Sequence, residues 1–349
     1  MMQDIAMVAD HVSSGLARPL DPICAALLEL AERELRDGHL EAAAEVAGMA
    51  CARAPDEVAL QRLLAATVHE ARELADDQRA NFYVARAHAH CLLGDAGKAD
   101  ADFRTALQWV ADCLPAHLGL AELRFPGDDY QMWLQRLHEM LRPHLYLEIG
   151  VYKGHSLVLA RPPTRAIGID PDPCLEVSFE ADTRIYRETS DAFFANALLE
   201  DRLAQPLDLT FIDGLHRFEQ ALMDFINVEA HSGRQAVVLI HDTVPLDEPT
   251  QRRTRSTSFY TGDVWKAVLC LRHYRPELDI VTVATPPTGL TIVTALDGSS
   301  RILADRYDEA VKRFMDLSYA DVENRLGEEL NIIANDWNAV AARLEARGT

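Results

Sequence analysis

Five stretches of this chain end in residues that can accept protons or hold a polar ligand. They are Glu148, Asp170, the pair Ser190-Asp191, Asp213, and the pair His241-Asp242. Each falls at or just after a segment that reads as a buried strand, and ligands of open α/β sheets sit beyond the carboxyl ends of the strands. Core polar residues scattered at random would not line up in this way. Between Glu148 and Ser156 runs EIGVYKGHS, with glycines at 150 and 154. Strand, glycine turn and helix start is the arrangement that brings backbone N–H groups close to a ligand. The spacing is neither G-x-G-x-x-G nor a P-loop. Asp170 follows Gly150 by 20 residues, where doubly wound nucleotide folds put the carboxylate that accepts from ribose hydroxyls. His216 lies three residues after Asp213. A neutral imidazole there can take a proton from a hydroxyl or amine.

Glu148 to Ser156, then Gly168-Ile169-Asp170, then FIDGLH over 211–216, then LIHDT over 239–243, resemble the class I S-adenosylmethionine-dependent methyltransferases. Within that class the motifs are similar to the branch of catechol and macrocin-type sugar O-methyltransferases and cephalosporin hydroxylase-like proteins. The resemblance covers about residues 140–297 and implies S-adenosylmethionine as cofactor. It implies that Gly150, Val151, Tyr152 and Ser156 hold the methionine portion, with Glu148 and Gly154 in the same motif. It also implies that Asp170 takes the ribose and that Ser190 and Asp191 lie beside the adenine. Asp213, His241 and Asp242 match positions that hold a divalent ion, and Asp213 also borders the cofactor. The imidazole of His241 departs from an all-oxygen set and shifts the expected metal from Mg²⁺ toward Mn²⁺, Fe²⁺ or Zn²⁺. His216 matches a general base, with His241 the next candidate.

The elements that must carry these residues follow a simple order. Residues 1–125 have alanine- and leucine-rich helical periodicity with short glycine turns, at Asp37-Gly38 and Gly94-Asp95, and a helix ending at Ala54-Pro55-Asp56. They are similar to tetratricopeptide-type helical hairpins without a clean period. Phe125 to Asp129 reads as a linker. Residues 126–300 form the cofactor domain, with strands near 145–149, 166–170, 184–187, 208–213 and 236–241. Its helices are expected near 154–161, 190–203, 217–231 and 263–274. A closing hairpin is expected over 280–284 and 290–295. Residues 301–349 return to helix and are expected to pack on the core or on a second subunit. The fold class is therefore α/β: a doubly wound, seven-stranded Rossmann-like methyltransferase sheet, an N-terminal all-α helical-repeat domain, and a helical C-terminal tail.

The chain has 349 residues, of which 48% are hydrophobic, with net charge −21. That is enough for two domains, and such a charge disfavours nucleic acid as a partner. No apolar run reaches the ~20 residues of a membrane helix. The N-terminus lacks signal-peptide character, and the six cysteines show no paired spacing. A cytoplasmic protein with reduced thiols is expected. The expected function is O-methylation of a small-molecule, sugar or glycan, or natural-product hydroxyl. The alternatives are N-methylation of an amino-acid-like or peptide substrate, a non-methylating hydroxylase-like relative, or a scaffold whose helical repeats bind a protein partner. A homo-oligomer is expected. The polar stretch from Thr243 to Gly262, with Arg252, Arg253 and Arg255, suggests a basic lid favouring an anionic acceptor. Asp263 and Trp265 are expected to flank it.

Overall fold

A computed structural model of the chain describes residues 20–54 and 75–346. Pro55-Asp56 and the first 19 residues lie outside the described residues. The chain divides into two compact units. The first comprises residues 1–123 and 257–259, and the second comprises 124–256 and 260–349.

In the first unit, Pro22–Arg36 and Leu40–Arg53 form one helical hairpin, and Asp76–Leu92 with Ala96–Trp109 form another. Asp21 starts the first helix by accepting the N–H groups of Ile23 and Cys24 at 3.1 and 3.2 Å, and Pro22 suits the opening turn. The two turns pass through Gly38 and Gly94 at φ +84° and +77°. Leu27, Leu28 and Ala31 pack against Ala43, Val46 and Ala47. Small residues at these contacts let the helices approach closely. Arg86 grips Asp102 with two hydrogen bonds of 2.8 and 2.7 Å.

The second unit is built on one sheet. Its strands are β1 (Leu145–Ile149), β2 (Arg165–Ile169), β3 (Asp182–Tyr186), β4 (Leu207–Ile212), β5 (Ser232–His241), β6 (Asp279–Val283), β7 (Leu290–Thr294) and β8 (Ile332–Ile333). Their order is β3-β2-β1-β4-β5-β7-β6-β8. The first five are parallel, and β7 runs antiparallel between β5 and β6. The sheet has eight strands where the sequence predicts seven. The extra one comes from the tail, where Ile332 and Ile333 pair with Thr282 and Val283 of β6.

Alternation along β1 sends Leu145, Leu147 and Ile149 to one face and Tyr146 to the other, as the period of two requires. The first face is covered by Phe218, Phe225, Trp265 and Phe314, the second by Trp133, Leu134 and Leu137. The tail packs on the core rather than projecting from it: Leu326 and Leu330 join the first face, Val340 and Leu344 the second.

The helix expected over 154–161 does not form. Only a 3-10 turn at Leu157–Leu159 is present. Pro162 and Pro163 follow at once, and proline removes the donors a longer helix needs and restricts the residue before it. The segment 190–203 also breaks in two, as Ser190–Phe194 and Leu199–Leu203. Among the described residues, no helix is long and apolar enough to cross a membrane.

Candidate active site

The carboxyl ends of β1, β2, β4 and β5 open into a cleft of about 780 Å³. Its shape begins with Gly150. At φ +89° this residue bends the chain away from β1, and a Cβ there would stand 2.0 Å from the carbonyl oxygen of Asp213. Only glycine lets the two strand ends approach so closely. The Gly150 N–H donates to Ile169 (2.9 Å) and the Asp213 N–H to Ile149 (2.8 Å), tying three strand ends together.

Asp170 shapes the loop beyond. Its Oδ2 accepts the N–H groups of Val151 at 2.9 Å and Tyr152 at 2.8 Å, and its Oδ1 accepts from Asp172 at 2.8 Å. Tyr152 is held at φ +45° with its ring 66% exposed at the cleft. That backbone region is uncommon for a bulky residue and marks a constrained position. Glu148 is fully buried beneath the cleft and does not line it. It accepts from the Tyr146 hydroxyl at 2.6 Å and from Ser156 at 2.7 Å. Burial pushes its carboxyl up to about 8, as expected for a desolvated acid. Gly154 also lies outside the lining and packs near Leu175 and Val177. Gly150, Val151, Tyr152, Ser156, Asp170, Ser190 and Asp191 all line it.

The far end of the cleft holds the acids and histidines. The His216 Nδ1 lies 3.1 Å from the Tyr260 carbonyl. A carbonyl only accepts, so this nitrogen carries the proton. Nε2 then presents its lone pair 3.1 Å from Asp242 Oδ2 and 3.8 Å from Asp213 Oδ1. Two acceptors face each other there, a position at which a proton arriving on Nε2, or a metal ion, would be held between them.

His241 is arranged differently. Its Nδ1 is 3.2 Å from Asp213 Oδ1, and its Nε2 is 3.3 Å from Thr288 Oγ1. The Thr288 hydroxyl donates to Asp242 at 2.7 Å, so it must accept from His241. Both ring nitrogens donate, and the ring is an imidazolium. Burial acts against that charge, but Asp242 and Asp213 outweigh it and raise the pKa to about 9. The Tyr130 ring lies over it with centroids 4.1 Å apart, in cation–π range.

Among the described residues, the ring nitrogen grouped with the Asp213 and Asp242 carboxylates is that of His216 rather than the expected His241, which is turned to Asp213 and Thr288. Donor atoms of Asp213, His216 and Asp242 lie within 4.8 Å of one another. Two carboxylates and one imidazole fit a divalent ion such as Mn²⁺, Fe²⁺ or Zn²⁺.

Of the loop arginines, Arg252 pairs with Glu248, and Arg253 bridges Glu219 and Asp263. Arg255 lines the cleft. Asp263 and Trp265, expected beside an acceptor, are core residues instead. Asp263 accepts the Phe218 N–H at 2.9 Å, and the Trp265 indole donates to Gln251 at 3.2 Å.

Tyr130, Glu188, Gln220 and Asp224 also line the cleft, and nothing in the motifs points to them. Gln220 donates to Asp191 and Asp224 at 3.1 and 3.0 Å. Burial raises the Asp224 carboxyl to about 6. The one signal for this pair is its i, i+4 spacing on the helix Phe218–Ala230.

Residues 147–243 match a family model described as a methyltransferase domain. The matched segment runs from within β1 through the Asp213 and His241-Asp242 turns. No curated protein matches the chain. Among solved structures, a putative O-methyltransferase from Klebsiella pneumoniae is 14% identical, with 56% of this chain and 97% of that one aligned and a TM-score of 0.38. The Bacillus cereus O-methyltransferase in complex with S-adenosylhomocysteine is 15% identical over 56% of this chain and 99% of that one, at TM-score 0.35. TomG from Streptomyces achromogenes, an O-methyltransferase of tomaymycin synthesis, is 16% identical over 58% and 90%, at TM-score 0.37.

Proposed function

We propose that this chain is an S-adenosylmethionine-dependent methyltransferase acting on a hydroxyl oxygen of a small-molecule, sugar or natural-product acceptor, and that His216 receives the acceptor's proton. One observation carries the reading. The His216 proton sits on Nδ1 against the Tyr260 carbonyl, so the Nε2 lone pair faces the Asp213–Asp242 end of the cleft.

The glycine turn, Tyr152 and Asp170 bind the donor, with Ser190, Asp191 and Gln220 toward its base. When bound, the donor supplies an electrophilic methyl carbon on a sulfonium. Cleft residues on both sides hold the acceptor oxygen in line with it, and alignment is the larger share of the catalysis. As the oxygen–carbon bond forms and the carbon–sulfur bond breaks, the hydroxyl proton passes to His216 Nε2. Asp242, 3.1 Å away, stabilises the imidazolium that results. An amine acceptor would use the same base.

The closeness of the Asp213, His216 and Asp242 donor atoms favours a second reading, in which these three hold a divalent ion. Such an ion would lower the pKa of an acceptor hydroxyl bound to it. The helical hairpins of the first unit offer a surface for a peptide or protein partner in either case.

Two measurements test the proposal together. Calorimetry with S-adenosylhomocysteine reads donor binding, and transfer of a labelled methyl group to a panel of hydroxyl and amine acceptors reads the chemistry. Absence of donor binding by the wild type, with divalent metals supplied, defeats it. Labelling of amines alone moves the chain to the N-methyl class.

A further inference from the structure

A second hollow, of about 460 Å³, lies at the amino-terminal ends of β1 and β2, away from the cleft at their carboxyl ends. Gln135, His138 and Glu139 line it from the helix Tyr130–Leu141, and Arg142, Arg161 and Thr164 line it from the turns that enter the two strands. In a chain of net charge −21, two guanidinium groups line this hollow beside one carboxylate, Glu139. Glu139 is engaged by the Gln135 amide at 3.0 Å. Arg161 donates to the Val158 carbonyl at 2.7 Å and stands 3.9 Å from Glu180, both partly open to solvent. Arg142 makes no ion pair among the described residues.

His138 is the second observation. It is only 7% exposed, and both ring nitrogens lack a hydrogen-bond partner. Its neighbour in the core is the Tyr146 ring, edge-on at 4.5 Å, which offers neither nitrogen a partner. Burial, with Arg161 nearby, lowers its pKa to about 4, so the ring is neutral near pH 7. It then has one N–H and one lone pair to satisfy. Buried polar atoms are almost always partnered, and an orphaned pair signals a missing group.

We propose that this hollow is a second ligand site, for a small organic oxyanion whose carboxylate or phosphoryl oxygens meet Arg142 and Arg161 while a polar group of the same ligand meets His138. Guanidinium forks suit both kinds of oxyanion. The site is separate from the donor cleft and does not depend on what that cleft methylates.

The test uses the full chain with S-adenosylhomocysteine present, so that the cleft is filled. Succinate and inorganic phosphate are titrated in separate arms, with calorimetry for affinity and imidazole ¹⁵N resonances for His138. Saturable binding of at least one probe is expected, with movement of the His138 resonances. The arm that binds names the oxyanion. The double variant Arg142→Gln, Arg161→Gln should bind about tenfold more weakly or worse, and His138→Phe should bind more weakly with an unchanged circular dichroism spectrum. No saturable binding of either probe overturns the proposal. So does unchanged affinity in the arginine variant, or binding that leaves the His138 resonances still.

Discussion

His216 Nε2 stands 3.1 Å from Asp242 Oδ2, with the proton of the same ring held on the other nitrogen by a backbone carbonyl. The pair is poised to accept a proton and to stabilise the resulting charge. His216→Ala should lower kcat by about 10²–10⁴-fold, with affinity for S-adenosylhomocysteine nearly unchanged. Full kcat in the variant would place the base elsewhere. Lost donor affinity would make His216 part of the donor pocket.

The same nitrogen decides the metal question. If Asp213, His216 and Asp242 hold an ion, chelation should lower turnover, and Mn²⁺ or Zn²⁺ should restore it better than Mg²⁺, because imidazole suits the transition metals. Asp213→Asn should weaken Mn²⁺ binding followed by electron paramagnetic resonance. Undiminished turnover after chelation, with no metal found by elemental analysis, leaves the two acids as orienting groups.

Glu148 gives a prediction about stability and pH. Burial raises its carboxyl from 4.5 to about 8. The folded chain therefore keeps a proton there that the unfolded chain releases across that interval. Its contribution to stability is complete below about pH 4.5 and declines as pH rises toward 8. Glu148→Gln has no charge to bury, so its melting temperature should fall less between pH 5 and 8 than that of the parent. Parallel curves for the two proteins would contradict this.

Gly262 sits at φ +59°, and a Cβ there would come within 1.9 Å of the His216 carbonyl oxygen. Gly262→Ala must displace the turn that carries His216. The strained backbone alone costs about 1–2 kcal/mol. A lowered melting temperature and a loss of kcat larger than the change in donor affinity are expected. An alanine variant with parental kcat would show that this turn tolerates movement.

Much of the second unit was legible in advance. Strands β1, β2 and β4 and the second half of β5 are largely apolar runs, as strands buried on both faces must be, and β2, β4 and β5 lead into Asp170, Asp213 and His241-Asp242 at the cleft. What escaped was set by partners distant in sequence. The two-residue strand β8 is too short to carry a period and exists only because β6 offers it an edge. The helix after Gly154 had the right residues but ran into Pro162. The charge on His241 depends on Thr288, which lies 47 residues further on. No local reading of Ile240-His241-Asp242 could tell a ligand from an imidazolium. Tyr130 reaches the cleft from a helix preceding the first strand, outside every motif.

The pairing of Thr282 with Ile332 has a consequence for how the protein is made. Strands form in the ribosome's order, so β6 emerges with its outer N–H and C=O groups unmatched. It stays so while the next stretch of chain, fifty residues to Ile332, is translated. An open strand edge is a template for pairing with another chain. Over that interval this edge can pair with a neighbouring nascent chain.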